Sequence, residues 1–154
     1  MNDTSIAGVR IPDSKLAQAA TELVRDTESD LLFHHSTRVY YFGALAGLRK
    51  KLKFDPELLY IGAMFHDMGL TKQYRSATER FEVDSANAAR DFLRQHGIDD
   101  AAIDIVWDAI ALHTTPGIPQ TTFGTVNDDV LALIDPKFKR TNFCSIILNS
   151  AWRE

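Results

Sequence analysis

Leu58-Leu59-Tyr60-Ile61-Gly62-Ala63-Met64-Phe65-His66-Asp67-Met68-Gly69 decides how this chain folds. The apolar run has the composition of a buried helix, and it ends in an adjacent imidazole and carboxylate, with Gly69 two residues after the acid. Burying a carboxylate without a partner is costly, so Asp67 requires a cation, a metal or several hydrogen bonds. Two readings satisfy it. A His–Asp hydrogen-bonded pair can hold a helix end, or both side chains can ligate one divalent ion.

Working outward, Asp55-Pro56-Glu57 is a helix start, with an N-cap, Pro at N1 and an acid in the first turn. That helix is expected to end near Gly69. Upstream, a helix runs from about Ser29-Asp30 to about Lys51. It is apolar nearly all round, which predicts a place in the middle of a helical bundle. Its basic end, Arg49-Lys50-Lys51, suits a helix C-terminus. His34 and His35 point in different directions, so one of them faces the interior, either as a core residue or as a ligand. Before it, Pro12-Asp13-Ser14 caps an amphipathic helix over about 14–26, and residues 1–12 read as an irregular arm.

Downstream, residues 70–80 are polar, lack helical periodicity and read as a loop. Lys72 lies there, either solvated or aimed at a polar substrate group. A helix follows over about 83–96, with Asn87 on its small-residue side and Gly97 as its C′ residue. Asp99-Asp100 caps a helix over about 100–114, closed by His113, which either lines a cleft or complements the helix dipole. Residues 115–125 form a break. Short helices are expected over about 128–134, stopped by Pro136, and about 143–151. No alternating run suggests a sheet, so the expected class is all-α, a bundle of five to seven helices.

The 154 residues fit one domain, 1–154, with an N-terminal arm at 1–13 and tail helices in 120–154. The net charge of −4 and the absence of a basic block argue against a nucleic-acid surface. Cys144 is the single cysteine, so no intramolecular disulfide can form and a reducing compartment is expected. Neither a signal peptide nor a membrane span is read in the chain, and the expected location is cytoplasmic.

His35 on one buried helix and His66-Asp67 on the next resemble the HD superfamily of metal-dependent hydrolases and lyases. His35-Ser36-Thr37-Arg38-Val39-Tyr40, Asp55-Pro56-Glu57-Leu58-Leu59, Phe65-His66-Asp67-Met68-Gly69-Leu70-Thr71, Arg80-Phe81-Glu82-Val83-Asp84 and Ala109-Ile110-Ala111-Leu112-His113-Thr114-Thr115-Pro116-Gly117 are similar, in order, to its cyanamide hydratase-like branch. The similarity is nearly gapless over about residues 6–118. It implies an HD-like helical bundle and assigns the first ligand to His35 rather than His34.

The resemblance further implies a divalent metal, zinc first and iron or manganese as alternatives, held by His35, His66 and Asp67. A metal-bound hydroxide would add to a small nitrile such as cyanamide, giving a urea-type product. His113 would donate a proton or orient the substrate, and Lys72 and Asn87 would polarise or position it. In the branch an Asp on a later helix completes the ligand set. Here the chain passes from Ile118-Pro119 into Gln120-Thr121-Thr122, as in a family member lacking an internal stretch after residue 119. Asp128, Asp129 or Asp135 fills that position, or it is absent. A phosphohydrolase using Arg38, Lys72 and Arg75 on a nucleotide or phosphoester is the second reading, although no Lys stands three residues after Asp67. An inactive, metal-free truncated bundle is the third. The expected partner is a small molecule, with neither nucleic acid nor membrane, and self-association into a homo-oligomer stays open.

Overall fold

The structure is a computed structural model and describes residues 5–115. The tail helices expected over 120–154, and with them Asp128, Asp129 and Asp135, lie outside the described residues. Five helices make up the described chain: α1 (Lys15–Thr27), α2 (Asp30–Arg49), α3 (Pro56–Phe65), α4 (Phe81–Gln95) and α5 (Asp100–Ala111). The all-α expectation holds, with one small addition. The arm, read as irregular, contains a two-residue hairpin, β1 (Ser5–Ile6) against β2 (Val9–Arg10), in antiparallel register Ser5↔Arg10 and Ile6↔Val9. Ala7 and Gly8 at its tip both have positive φ, 51° and 83°, as a tight primed turn demands. Buried Val9 and a 2.6 Å bond from Tyr40 Oη to the Arg10 carbonyl fasten it to α2.

The helix starts follow local chemistry. Ser14 accepts from the Ala17 N–H at 3.0 Å, and Asp55 accepts from the Glu57 and Leu58 N–H groups at 2.8 and 3.2 Å. Asp99 accepts from Ala102 at 3.0 Å. Each satisfies donors that the first helical turn leaves orphaned.

The centre of the bundle is α3 rather than α2. Every residue from Leu59 to Phe65 is buried, and α3 packs against α1, α2, α4 and α5. The long helix α2 buries one side through Val39, Tyr40 and Ala44, while Leu31 and Leu48 are exposed. Fully burying side chains such as Ile61, Met64 and Phe65 contributes roughly 1.5–3 kcal/mol each. A helix that central cannot carry polar groups at its end without giving them partners, so the segment that builds the core also determines where His66 and Asp67 must be satisfied.

Candidate metal centre

The α-helical part of α3 ends at Phe65, four residues before the expected Gly69. His66 is its C-cap, and the chain tightens into a 3₁₀ turn, Met68–Leu70. Gly69 makes that turn possible. A Cβ there would overlap the Phe81 carbonyl oxygen and lie 2.9 Å from the Phe81 carbonyl carbon and 3.0 Å from Asp84 Cβ. The Gly69 N–H instead donates to Ser85 Oγ at 2.8 Å, which locks the turn onto α4. Asp84, next to it, accepts from the Ser76 N–H at 2.7 Å and ties down the 70–80 loop.

This turn delivers His66 and Asp67 to His35 on α2. The three functional atoms form a nearly equilateral triangle. His35 Nε2 lies 3.2 Å from His66 Nε2 and 3.4 Å from Asp67 Oδ2, and His66 Nε2 lies 3.2 Å from Asp67 Oδ2. All three residues are buried. The His66 ring is oriented by its other nitrogen, because Nδ1 donates to the Ala63 carbonyl at 2.6 Å. Nε2 is thereby aimed at the triangle, the arrangement by which metal-binding imidazoles are usually held. The exposed His34 takes no part in the triangle, so of the two adjacent histidines His35 is the inward one.

Electrostatics make the triangle a place for positive charge. Burial raises the Asp67 carboxyl, but the charge and hydrogen bond of His66, with His35 and His113, hold it at about 2. Burial disfavours the charged form of His66, yet Asp67 overrides it and raises the imidazole above its usual range. Burial, reinforced by His66, pushes His35 down to about 4. The cluster therefore holds one proton firmly and refuses a second. A divalent ion satisfies the same groups better. Ligand atoms about 2.1 Å from a tetrahedral ion lie about 3.4 Å apart, close to the observed edges. Two imidazoles and a carboxylate are donors such ions accept, so the residues present fit the group.

His113 lies in the turn after α5, which ends at Ala111 rather than near 114. Its backbone N–H and its Nδ1 both donate to the Ile110 carbonyl, at 3.3 and 2.5 Å. The ring stands edge-on to His66 with centroids 5.2 Å apart, and Nε2 lies 3.9 Å from Asp67 Oδ1. His113 is thus beside the triangle, at the other carboxylate oxygen. Burial and the neighbouring His66 push it down to about 4, so at neutral pH its Nε2 is an acceptor. Glu82 accepts from Arg80 Nη2 at 2.6 Å and from Thr114 Oγ1, clamping the His113–Thr114 turn to the start of α4. The Arg80–Asp84 motif is therefore the brace that positions both the His66–Asp67 turn and His113.

The other candidates lie elsewhere. Asn87 accepts from Trp107 Nε1 at 3.0 Å and Arg90 Nη1 at 2.9 Å, and lines a cavity of about 370 Å³ with Gln73, Tyr74 and Asp84. None of the triangle residues lines that cavity. Lys72 and Arg75 are exposed on the loop. One residue that the sequence did not single out belongs near the cluster. Glu28, the C-cap of α1, is buried, and its charge acts on His66 and Asp67. Its position seven residues before His35 in an unremarkable polar stretch carried no signal.

In comparison with known proteins, the family model described as HD domain matches residues 32–140. No curated protein matches the chain.

Proposed function

Since this chain belongs to the HD-domain family, which comprises metal-dependent hydrolases, we propose that it hydrates or hydrolyses a small neutral molecule of the nitrile or cyanamide type. The single observation that carries the reading is the triangle of His35, His66 and Asp67, three ligand-type atoms all within 4.8 Å of one another and buried. His35, His66 and Asp67 would hold a divalent ion, zinc by resemblance. When bound, such an ion lowers the pKa of a water and supplies a nucleophile at neutral pH.

The protein's own groups do the rest. His113 Nε2, with its Nδ1–H committed to the Ile110 carbonyl, accepts the proton that the attacking water gives up. The imidazolium then returns it to the nitrile nitrogen as the carbon–oxygen bond forms, so the addition of water balances. His113 acts first as base and then as donor, which the held tautomer requires. Burial of the His66 and His113 rings keeps bulk water from competing for that proton. The residue order from His35 to Tyr40 and from His113 to Gly117 supports the cyanamide-type substrate.

A phosphohydrolase is the second reading, and Arg38 is what favours it. Its charge reaches the cluster and disfavours protonation of His35. Lys72 and Arg75, exposed on the loop, do not strengthen that case.

Purified protein assayed for bound metal, for urea formation from cyanamide and for phosphate release from a nucleotide panel separates the readings. Metal with urea formation supports the proposal, and metal with phosphate release replaces it by the second reading. Metal-free protein, inactive after metal addition, refutes both. In the same assays His66→Ala is expected to lose metal and activity. His113→Ala is expected to lose turnover at least a hundredfold while keeping metal. Loss of metal from His113→Ala would make that residue a ligand.

A further inference from the structure

Glu28 is buried to 7% exposure at the end of α1, where its backbone N–H caps the helix on the Val24 carbonyl. One side-chain oxygen, Oε2, accepts from Ser36 Oγ at 3.4 Å. Ser36 is itself fully buried and adjacent to His35. The other oxygen, Oε1, is buried and meets no hydrogen-bond donor among the described residues. A buried acceptor left without a donor costs about 1–3 kcal/mol, and more when charged. Such an atom calls for a donor beyond the described residues, and a bound small molecule can supply one. Ser36, which Oε2 meets, follows His35 in α2, so the Glu28 carboxyl lies against the stretch of helix that carries a corner of the triangle.

We propose that Glu28 is a specificity-determining residue of this site, its Oε1 accepting an N–H of a small neutral substrate and its negative charge turning anions away. The inference rests on the functional reading above, since it presupposes a cation among His35, His66 and Asp67. Beside a dication the carboxylate is favoured over the acid. A fixed carboxylate discriminates by repulsion as well as by attraction: a phosphate or other anion approaching the ion would bring a second uncompensated charge against Glu28. An amino or amide N–H supplies the missing donor. A dipolar molecule can turn its N–H end to Glu28 and its electron-rich end toward the opposite side. Neither Glu28 nor Ser36 needs to touch the ion for this to operate.

The test uses the full chain loaded with cobalt(II), with azide as the anionic probe read by visible absorbance. Wild-type protein and Glu28→Gln are compared, with metal content measured on both. Glu28→Gln keeps the shape and removes the charge, and is expected to hold cobalt at wild-type stoichiometry and to bind azide about tenfold more tightly. Ser36→Ala, which leaves the carboxylate in place, is expected to bind azide as wild type does. Thermal melting of the metal-free proteins supplies the second measurement, and Glu28→Gln is expected to melt at or above the wild-type temperature. Azide affinity within twofold of wild type overturns the proposal, as does a Glu28→Gln protein that no longer folds, which would make Glu28 a structural residue. If the wild-type protein itself takes up no cobalt, the metal reading falls and this inference with it. If cobalt binds and azide affinity does not move, only the role of Glu28 falls.

Discussion

Acidifying the metal-free protein tests the electrostatics of the cluster directly. In the unfolded chain each imidazole titrates near 6.5, whereas in the folded protein burial and the neighbouring His66 bring His35 and His113 down to about 4. Between those values the unfolded chain binds more protons, so stability falls as pH falls from 6.5 to 4. A displacement of that size is worth about 3 kcal/mol for each ring, at ~1.4 kcal/mol per pH unit. Glu28 works in the opposite sense. Burial raises it from 4.5 to about 7, so the folded protein takes up that proton first. Stability therefore gains about 3 kcal/mol as pH falls through this range. His66 adds no slope here. Its raised value gives a contribution that is complete below 6.5 and lost as pH rises above it. Asp67 contributes fully above 3.8 and loses its share only as pH falls toward 2. The net expectation is a loss of about 3 kcal/mol between pH 6.5 and 4, since two rings act against one carboxyl. Urea unfolding in the presence of a chelator, followed by far-ultraviolet circular dichroism at half-unit pH steps, measures it. Glu28→Gln should roughly double the loss, and His113→Gln should nearly abolish it. A wild-type stability that is flat or rising on acidification, with the same profile in Glu28→Gln, would refute the assignment of these charges.

Two further expectations concern the frame around the site. Gly69→Ala places a Cβ against the backbone of Phe81, which no side-chain rotation relieves. It should cost at least about 2 kcal/mol and weaken metal retention, and an unchanged urea midpoint would show that the turn is not constrained as described. Asp55→Ala removes the acceptor for the Glu57 and Leu58 N–H groups. It should cost about 1 kcal/mol with no change in metal content, and a loss of metal would mean that the α3 start and the site are coupled.

Much of the architecture was legible because it is local. Helix starts at Ser14, Asp55 and Asp99 follow from side chains that bond N–H groups two or three residues away. Boundaries were less legible where a distant backbone decides them. The α3 end falls four residues before Gly69, which lies in a separate 3₁₀ turn seated on Phe81, a contact between segments that sequence spacing cannot reveal. The central position of α3 was hidden for a similar reason. Both α2 and α3 are apolar, and only packing shows that Leu31 and Leu48 face outward.

The sequence by itself determined the helical class and singled out the His66–Asp67 pair and His113, while the choice of His35 over His34 came from the resemblance. The helical class and the adjacent His66–Asp67 pair depend on residue chemistry and short spacing. Only the tertiary structure decided that His35, His66 and Asp67 form one triangle with edges of 3.2 to 3.4 Å and that His113 stands beside it with its Nδ1–H already spent. It also decided that Asn87 belongs to Trp107 and Arg90, and that Glu28 is buried against Ser36, the neighbour of His35. The physical reason is that a polar residue's role is set by which donors and charges surround it after the chain has folded. Those neighbours come from helices far apart in sequence.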